Sequence, residues 1–286
     1  MLVFAILFLT PGDPVRIMAG PRASEERVQE IRTRLGLDRP WPEQYVRWLG
    51  RALQGDFGTS IAANRPVANL IREQLPFTLR LTLTAFTIGT VLGIILGVVS
   101  AMKPYSWLDQ VITYTSLFWF SMPGFWLGLM FMLIFGIWLR WTPISGYQAS
   151  GALILPVVTM VLPQMGALSR LVRGEMLEAL SEEYIKTAHA KGLHPVWVYF
   201  RHGLRNALIP VAVLLFLSVP WLLGGTVIIE TIFAWPGVGR LMYQALTQKD
   251  FPVVQGLLLI IATSTIIANL LGDIVTALLD PRIRLS

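Results

Sequence analysis

The chain of 286 residues has 54% hydrophobic and 14% charged side chains, and its mean hydropathy is +0.61. A soluble domain carries about 25% charged residues, so this composition excludes an ordinary soluble protein and predicts an integral membrane protein. The net charge of +6 fits basic residues at membrane surfaces, and no basic and aromatic cluster indicates nucleic-acid binding. The sequence has no cysteine, which excludes disulfides and thiolate metal sites.

The first ten residues, MLVFAILFLT, form an apolar run that is shorter than a membrane span. A hydrocarbon layer of about 30 Å takes about 20 helical residues to cross. Pro11 and Gly12 end the run, and the basic n-region and cleavage site of a signal peptide are missing. We interpret residues 1–10 as part of a first span whose beginning lies outside this sequence, with a short interfacial anchor as the alternative.

Residues 11–76 are the most hydrophilic stretch and are predicted to hold short amphipathic helices outside the membrane. Ser24 is a predicted N-cap, followed by two glutamates in the first turn of its helix. A second helix is predicted to start at Pro42. A third amphipathic piece covers residues 67–75, and Pro76 is expected to end it.

Five further apolar runs are long enough to cross a membrane, and with the first fragment they predict an all-α polytopic protein with six spans. The predicted spans are residues 77–101, 111–139, 152–168, 207–229 and 253–278, and a tail follows at 281–286. Pro123, Gly124, Pro220 and Gly224 interrupt two of these spans. Because broken helices are tolerated where they line a cavity, these four residues are candidates for the wall of a pathway or gate.

Gly89, Gly93 and Gly97 recur at four-residue spacing in the first of these five runs. Small residues at this spacing let another helix approach closely. The approaching helix belongs either to this chain or to a second subunit, and the spacing alone leaves both alternatives open.

Basic residues in the loops predict which side of the membrane each segment occupies. The segment between the third and fourth of these spans, residues 169–206, carries six Lys or Arg side chains, and the tail carries two more. Because cytoplasmic loops are enriched in Lys and Arg, we expect this segment and the tail on the cytoplasmic side. Residues 11–76 then lie on the extracytoplasmic side.

The polar stretch from Ser181 to Pro210 separates two apolar runs. Ser181 is a predicted N-cap, and Gly192 is suited to the left-handed conformation that ends a helix. His194 and Pro195 are predicted to start a second helix. The pattern predicts a short helix held away from the membrane, which is either a docking socket for another protein or a solvated loop. Its predicted outer face consists of Tyr184, Thr187, Ala188 and Lys191.

Several spaced motifs together resemble one family of transporters. TAHAKGL at 187–193 and RHGLRNALIP at 201–210 are similar to the coupling loop, or EAA loop, of ATP-binding-cassette importer permeases. PGDPV at 11–15, the run from 224 to 246 with its AWPGVG motif, and LLDPRIR at 278–284 are similar to the same family. The combination resembles the first-permease subgroup of the dipeptide, oligopeptide and nickel importers.

Two departures from the general EAA pattern narrow this resemblance. Aligned on Gly192, Lys186 stands at the usual glutamate position and Thr187 at the usual first alanine. The later stretch from His202 to Arg205 also differs from the general pattern. Both departures are similar to the peptide subgroup and argue against sugar or amino-acid permeases.

The resemblance implies the transmembrane domain of a type I ABC importer in the bacterial inner membrane, carrying dipeptides or oligopeptides. It implies a heterodimer with a second homologous permease, two cassette ATPase subunits and an extracytoplasmic solute-binding protein. The implied ATPase-docking residues are Glu183, Tyr184, Thr187, Ala188, Lys191, Gly192, Leu193, Arg201 and Arg205. The implied contact loop for the binding protein contains Trp235, Pro236 and Gly237.

The sequence also predicts which chemistry the chain lacks. It has no G-x-x-x-x-G-K-[S/T] motif, so ATP and Mg²⁺ are expected on the partner ATPases, with no cofactor and no enzymatic activity on this chain. His189, His194 and His202 all fall in the polar stretch without the other ligands of a metal site. A stand-alone secondary transporter is the main alternative, and it would need midplane ion ligands and internal repeats, which the sequence does not show. A membrane-embedded enzyme is a third class, and the predicted spans lack the His or paired carboxylates it would need.

Charged residues inside spans are functional hypotheses by default. Asp273 and Asn269 lie one turn apart in the last predicted span and are candidates for a gate or a helix contact. Arg80 and Glu230 are predicted at the outer ends of spans, where they are expected to face headgroups or the extracytoplasmic segment.

Overall fold

A computed structural model describes residues 15–16, 23–35, 38–218, 222 and 226–279 of the chain. The described residues are helical apart from turns, loops and an isolated bridge between Thr59 and Pro66. In chain order the helices are α1 (Glu25–Leu35), α2 (Trp41–Ala52), α3 (Val67–Met102), α4 (Trp107–Ser121), α5 (Gly124–Phe131), the π-helix π1 (Met132–Trp138), α6 (Ile154–Ser181), α7 (Glu183–Ala190), α8 (Pro195–Trp197), the π-helix π2 (Val198–Leu204), α9 (Arg205–Leu217), α10 (Val227–Ile232), α11 (Val238–Thr247) and α12 (Phe251–Leu279).

Four described segments are long and apolar enough to cross a membrane: α3, α6, Val198–Leu217 and Phe251–Ile274. Helices α4, α5 and π1 form a further candidate span that bends by 97° at its break. Each of these five segments overlaps one of the five full spans predicted from the sequence, but Val198–Leu217 begins and ends before the predicted span at 207–229. The predicted partial span at 1–10 and the tail at 281–286 lie outside the described residues.

Helix α3 extends further than its sequence predicted. Pro76 was expected to end an amphipathic piece, yet α3 runs through it from Val67. Proline removes the hydrogen bond to the carbonyl four residues earlier, here that of Arg72. Both residues are exposed, so solvent can hydrate that carbonyl and the helix continues. At the start of α1, the Ser24 hydroxyl accepts a hydrogen bond from the Arg27 N–H at 3.3 Å, which confirms the predicted cap.

Helix α6 is the centre of the fold and also extends beyond its predicted span. It was expected to end at Leu168, where charged residues begin, but it continues to Ser181. Val172, Met176 and Ala179 are buried along this extension, because the apolar residues keep helical spacing while the charges occupy the other faces. Ser181 therefore ends α6 and does not cap the next helix, and its hydroxyl donates to the Glu178 carbonyl.

The three glycines that recur every fourth residue of α3, Gly89, Gly93 and Gly97, pack against α6 of the same chain. A Cβ atom on Gly93 would lie 2.8 Å from the Leu168 side chain, and one on Gly97 would lie 2.7 Å from the Ser169 carbonyl oxygen. Only glycine permits this separation of the two backbones. Of the two alternatives left open by the sequence, the structure supports the contact within the chain.

Gly97→Ala should lower the stability of the folded protein. The added methyl group meets the Val172 side chain at 2.6 Å, and such overpacking typically costs about 1–3 kcal/mol. Thermal unfolding of the purified protein in detergent should show a lower midpoint. Gly50→Ala is the matched control, because no atom lies within 4 Å of the new Cβ and alanine favours helix α2. Equal midpoints for Gly97→Ala and the native protein would contradict the close packing.

Candidate functional site

The short helix α7 stands between two backbone breaks. Glu182, with φ −70° and ψ 151°, separates it from α6. Gly192 has φ +74°, which confirms the predicted left-handed conformation. The Leu193 N–H donates to the Ala188 carbonyl at 3.3 Å and closes the helix in the manner of a Schellman motif. The predicted short helix is therefore present, and a single extended residue, Glu182, separates it from α6.

One side of α7 is anchored on its own chain. Ile185 and Ala188 pack with Val198 of π2 and with Leu180 of α6. Ala188 was predicted to belong to the docking face, but it is only 5% exposed. The error arose because a helical wheel does not show which side faces the rest of the chain. Tyr184 adds a polar anchor, since its hydroxyl accepts from the Asn206 side-chain amide at 2.9 Å.

The other side of α7 and its flanks remain on the surface. The predicted docking residues that are exposed are Glu183, Tyr184, Thr187, Lys191, Gly192, Leu193, Arg201 and Arg205. Their side chains include three basic groups and one carboxylate, and Lys186 pairs with Glu183 at 2.6 Å. Such an exposed pair contributes little to stability. The arrangement presents a small, mainly basic surface on a helix whose other side is fixed.

A partly buried ion pair that the sequence did not reveal connects α3, α4 and α6. Arg173 of α6 donates through Nε and Nη2 to the two carboxylate oxygens of Asp109 at 2.6 and 2.7 Å. Asp109 lies in the first turn of α4 and also accepts from the Ser100 hydroxyl of α3 and from the Tyr105 N–H. The two partners are 64 residues apart, so no local pattern connects them. The pair joins the ends of α3 and α4 to α6, eight residues before α6 ends.

The turn formed by the AWPGVG motif surrounds the buried carboxylate of Glu230. We call this arrangement of Glu230 and its hydrogen-bond donors the clamp. Glu230 is fully buried, although its sequence position suggested contact with headgroups or the external segment. Its carboxylate accepts from the hydroxyls of Thr78 and Thr226 at 2.6 and 3.1 Å, and from the Arg240 N–H at 3.0 Å. A Cβ on Gly237 would lie 2.3 Å from this carboxylate. Burial raises the pKa of Glu230 above its ordinary value, and the hydrogen bonds act in the opposite direction.

The same clamp places the predicted binding-protein contacts inside the chain. Trp235 is 2% exposed, and its indole N–H donates to the Phe77 carbonyl at 3.0 Å. Gly237 is also buried, and only Pro236 is partly exposed. This corrects the expectation of an exposed contact loop. The motif resembled a surface loop because proline and glycine usually mark turns, whereas here the turn wraps a buried acid.

Asp250 fastens the loop between α2 and α3 to the start of α12. Its carboxylate accepts from the Ser60 hydroxyl and from the N–H groups of Ile61 and Ala62, both at 3.1 Å. Asp250 is buried and lies immediately before α12. The loop after α2 is therefore held against the N-terminal end of α12.

The predicted pathway residues are distributed over two regions. Pro123 and Gly124 stand at the 97° break between α4 and α5, with Pro123 exposed and Gly124 half-buried. Asn269 and Asp273 are exposed, one turn apart on α12. The two pairs therefore lie on different elements, one at the α4–α5 break and the other on α12. Pro220 and Gly224 lie outside the described residues. Within the described part of the chain, no three His or acidic side chains are grouped as metal ligands.

Comparison with known proteins identifies the family. The family described as binding-protein-dependent transport system inner membrane component matches residues 89–285, and its N-terminal companion matches residues 1–82. The chain belongs to this family. It is an ABC importer permease of the inner membrane, and the family implies an ATPase and a binding protein as partners.

Relatives from several bacteria are similar to this permease over 99% of the chain and 93% of their own length. The oligopeptide transport system permease AppB of Bacillus subtilis is 39% identical, and the glutathione transport system permease GsiC of Escherichia coli K12 is 36% identical. A chain of the inward-facing MetNI methionine ABC transporter matches with a TM-score of 0.59 and 18% identity. That match covers 74% of this chain and 96% of the other and supports the fold. The resemblance stated from the motifs is confirmed.

Glu230→Ala should destabilise the region where the AWPGVG motif packs against α3. The change leaves the Thr78 and Thr226 hydroxyls and the Arg240 N–H without their acceptor, at a cost on the order of 3 kcal/mol. Thermal unfolding in detergent should report a lower midpoint than that of the native protein. Glu43→Ala removes an exposed carboxylate and serves as the control. A Glu230→Ala midpoint equal to the control's would contradict the clamp.

Proposed function

We propose that this permease carries peptides across the inner membrane, driven by ATP hydrolysis on separate subunits. The observation that carries the substrate class is the set of relatives at 36–39% identity, whose names specify oligopeptide, peptide and glutathione transport. Their likeness extends over nearly the whole chain, so it includes the pathway as well as the coupling segment. Peptides are therefore the substrate class that the comparisons favour.

The proposed assembly contains four kinds of subunit. A second, homologous permease completes the pathway, two cassette ATPases bind ATP and Mg²⁺, and a solute-binding protein delivers peptide at the outer face. The exposed side of α7 is the proposed docking surface for one ATPase. A helix anchored on one side and open on the other suits this role, because a force on its open side is transmitted to its anchors.

The contacts of α7 suggest how ATPase closure would change access to the pathway. Displacement of α7 would reach α6 through Ala188 and Leu180, and α9 through the Tyr184–Asn206 hydrogen bond. The Asp109–Arg173 pair would pass the movement of α6 to α3 and α4. ATP binding would thereby shift the population between inward-facing and outward-facing arrangements.

Transport in reconstituted vesicles tests the proposal against a stand-alone secondary transporter. We expect uptake of a labelled peptide only when both permeases, the ATPases, the binding protein and ATP are present. Omission of the ATPases should abolish uptake even with an imposed proton or sodium gradient. Uptake that follows the ion gradient without the ATPases would refute the ATP-driven function.

Gly192→Pro should abolish ATP-coupled uptake while the chain still inserts into the membrane. Proline fixes φ near −65°, whereas Gly192 has φ +74°, so the end of α7 must rearrange. Gly192→Asn is the matched control, because asparagine tolerates the left-handed region and should retain most uptake. Both variants should be quantified in the membrane fraction before uptake is compared. Undiminished uptake by the proline variant would disprove the role of α7 in coupling.

A further inference from the structure

A wide helical turn follows α7. Helices α8, π2 and α9 form one continuous run from Pro195 to Leu217, and Trp197 and Arg205 on either side of π2 have α-helical dihedral angles. The hydrogen bonds of a π-helix close on the fifth residue, so each bonded turn contains one residue more than in an α-helix. Such turns are rare and frequently occur at functional sites. The position of π2 between α7 and α9 therefore calls for a functional explanation.

The packing of π2 shows why this turn is wide. Val198, which is 1% exposed, and Gly203 are the two buried residues of π2. They are five residues apart, so in an α-helix they would be about 140° apart around the axis and could not face the same neighbour. In π2 both meet Leu180 of α6, because Val198 packs in the cluster beside Leu180 and a Cβ on Gly203 would lie 3.0 Å from its side chain. The wide turn therefore lets both residues reach one neighbour.

Beyond π2 the buried residues continue at ordinary α-helical spacing. Ala207 and Val211 follow Gly203 at intervals of four residues, and both are buried in the apolar cluster formed with α3 and α6. We call Val198, Gly203, Ala207 and Val211 the packed face, which contains a single five-residue step. If that step shortened to four residues, Tyr199 would take the place of Val198, and the segment before the step would turn by about 100° relative to α9.

Helix α7 contacts both ends of the wide turn. At the start of π2, Ile185 and Ala188 of α7 pack with Val198. Just past its end, the Tyr184 hydroxyl of α7 accepts from the Asn206 side-chain amide at 2.9 Å. A displacement of α7 therefore acts on π2 from both sides, and π2 is the part of the run for which a second, more common hydrogen-bond pattern exists.

We propose that π2 is a joint that changes its helical register when the ATPases close. The five-residue step shortens to four, Tyr199 replaces Val198 on the packed face, and α7 and α9 turn relative to each other. Tyr199 already packs at the edge of the apolar cluster that contains Ala207, so the shortened register has an aromatic side chain to place there. This inference rests on the proposed ATP-driven function and adds to it the element that lets α7 move relative to α9.

Deletion of Phe200 tests whether the extra residue of the turn is needed. Phe200 is 49% exposed, and without it Val198 and Gly203 are four residues apart, so π2 should become a continuous α-helix with the same packed face. The thermal midpoint of the variant in detergent should equal or exceed that of the native permease. ATP-driven uptake of trialanine by the full reconstituted importer should fall about tenfold, because the turn has no residue left to release.

Phe200→Ala is the matched control, because it removes the same side chain and keeps the length of the turn. Its uptake should stay within about twofold of the native value. The ATPases should copurify with both variants, since the packed face and the docking surface are unchanged. The proposal is overturned if the deletion variant transports like the native importer or if both variants lose uptake equally. It is also overturned if the deletion lowers the midpoint or releases the ATPases.

The distance between α8 and α9 gives an independent measurement, because this chain has no cysteine of its own. In an importer whose other subunits also lack cysteine, nitroxide labels are attached at Val196→Cys and Leu214→Cys, two exposed positions on either side of π2. Pulsed electron paramagnetic resonance should show one label distance without nucleotide and another after ATP and vanadate trap the closed ATPases. The same labels in the deletion variant should show a single distance in both states. An unchanged distance in the native-length chain would contradict the change of register.

The two measurements separate failure of this inference from failure of the proposed function. If the native-length importer changes its label distance with nucleotide but takes up no peptide, the joint stands and the peptide function fails. If it takes up trialanine and the deletion variant does so equally well, the function stands and the assignment of π2 as a joint is wrong.

Discussion

The fold depends on the close approach of α3 and α6. Inside a bilayer, helices gain little from the hydrophobic effect against one another, because lipid tails are as apolar as leucine. Association must therefore come from packing and from polar contacts. Gly89, Gly93 and Gly97 remove the side chains that would separate the two backbones, and Gln164 and Leu168 of α6 occupy the space. The Gln164 side-chain amide also donates to the Phe86 carbonyl at 3.2 Å, so the interface between α3 and α6 contains a polar contact as well.

Polar contacts at both ends of the α3–α6 interface determine which other elements move together with these two helices. At one end, Asp109 joins the turn after α3 to Arg173 of α6. At the other end, Glu230 joins Thr78 of α3 to the turn before α11. Removing one member of such a buried pair leaves an uncompensated polar group or charge, which is costly. Helices α3, α4 and α6 are therefore expected to move as one body, and a displacement at α7 acts on all three.

The sequence predicted the spans, the left-handed Gly192 and the family, because each depends on local composition or on a contiguous motif. It misplaced the end of α6 and the roles of Ser181, Ala188 and Trp235, which depend on what packs against each residue. Ala188 and Trp235 are small or apolar residues in polar stretches, and only the tertiary contacts with Val198 and Phe77 reveal their burial. The Asp109–Arg173 pair joins positions 64 residues apart, so no periodicity could indicate it.

A single helix connects the coupling segment to the rest of the fold. Arg173 is held by Asp109 eight residues before α6 ends, and Val172 and Met176 are buried beside it. Because a helix transmits axial and rotational movement with little deformation, a shift of α7 at the end of α6 must also move the residues that pack against α3. The α3–α4–α6 body then moves relative to any helix outside it. In the proposed mechanism, ATP-driven movement at α7 therefore changes access to the pathway through one rigid body, and no separate connection to each helix is needed.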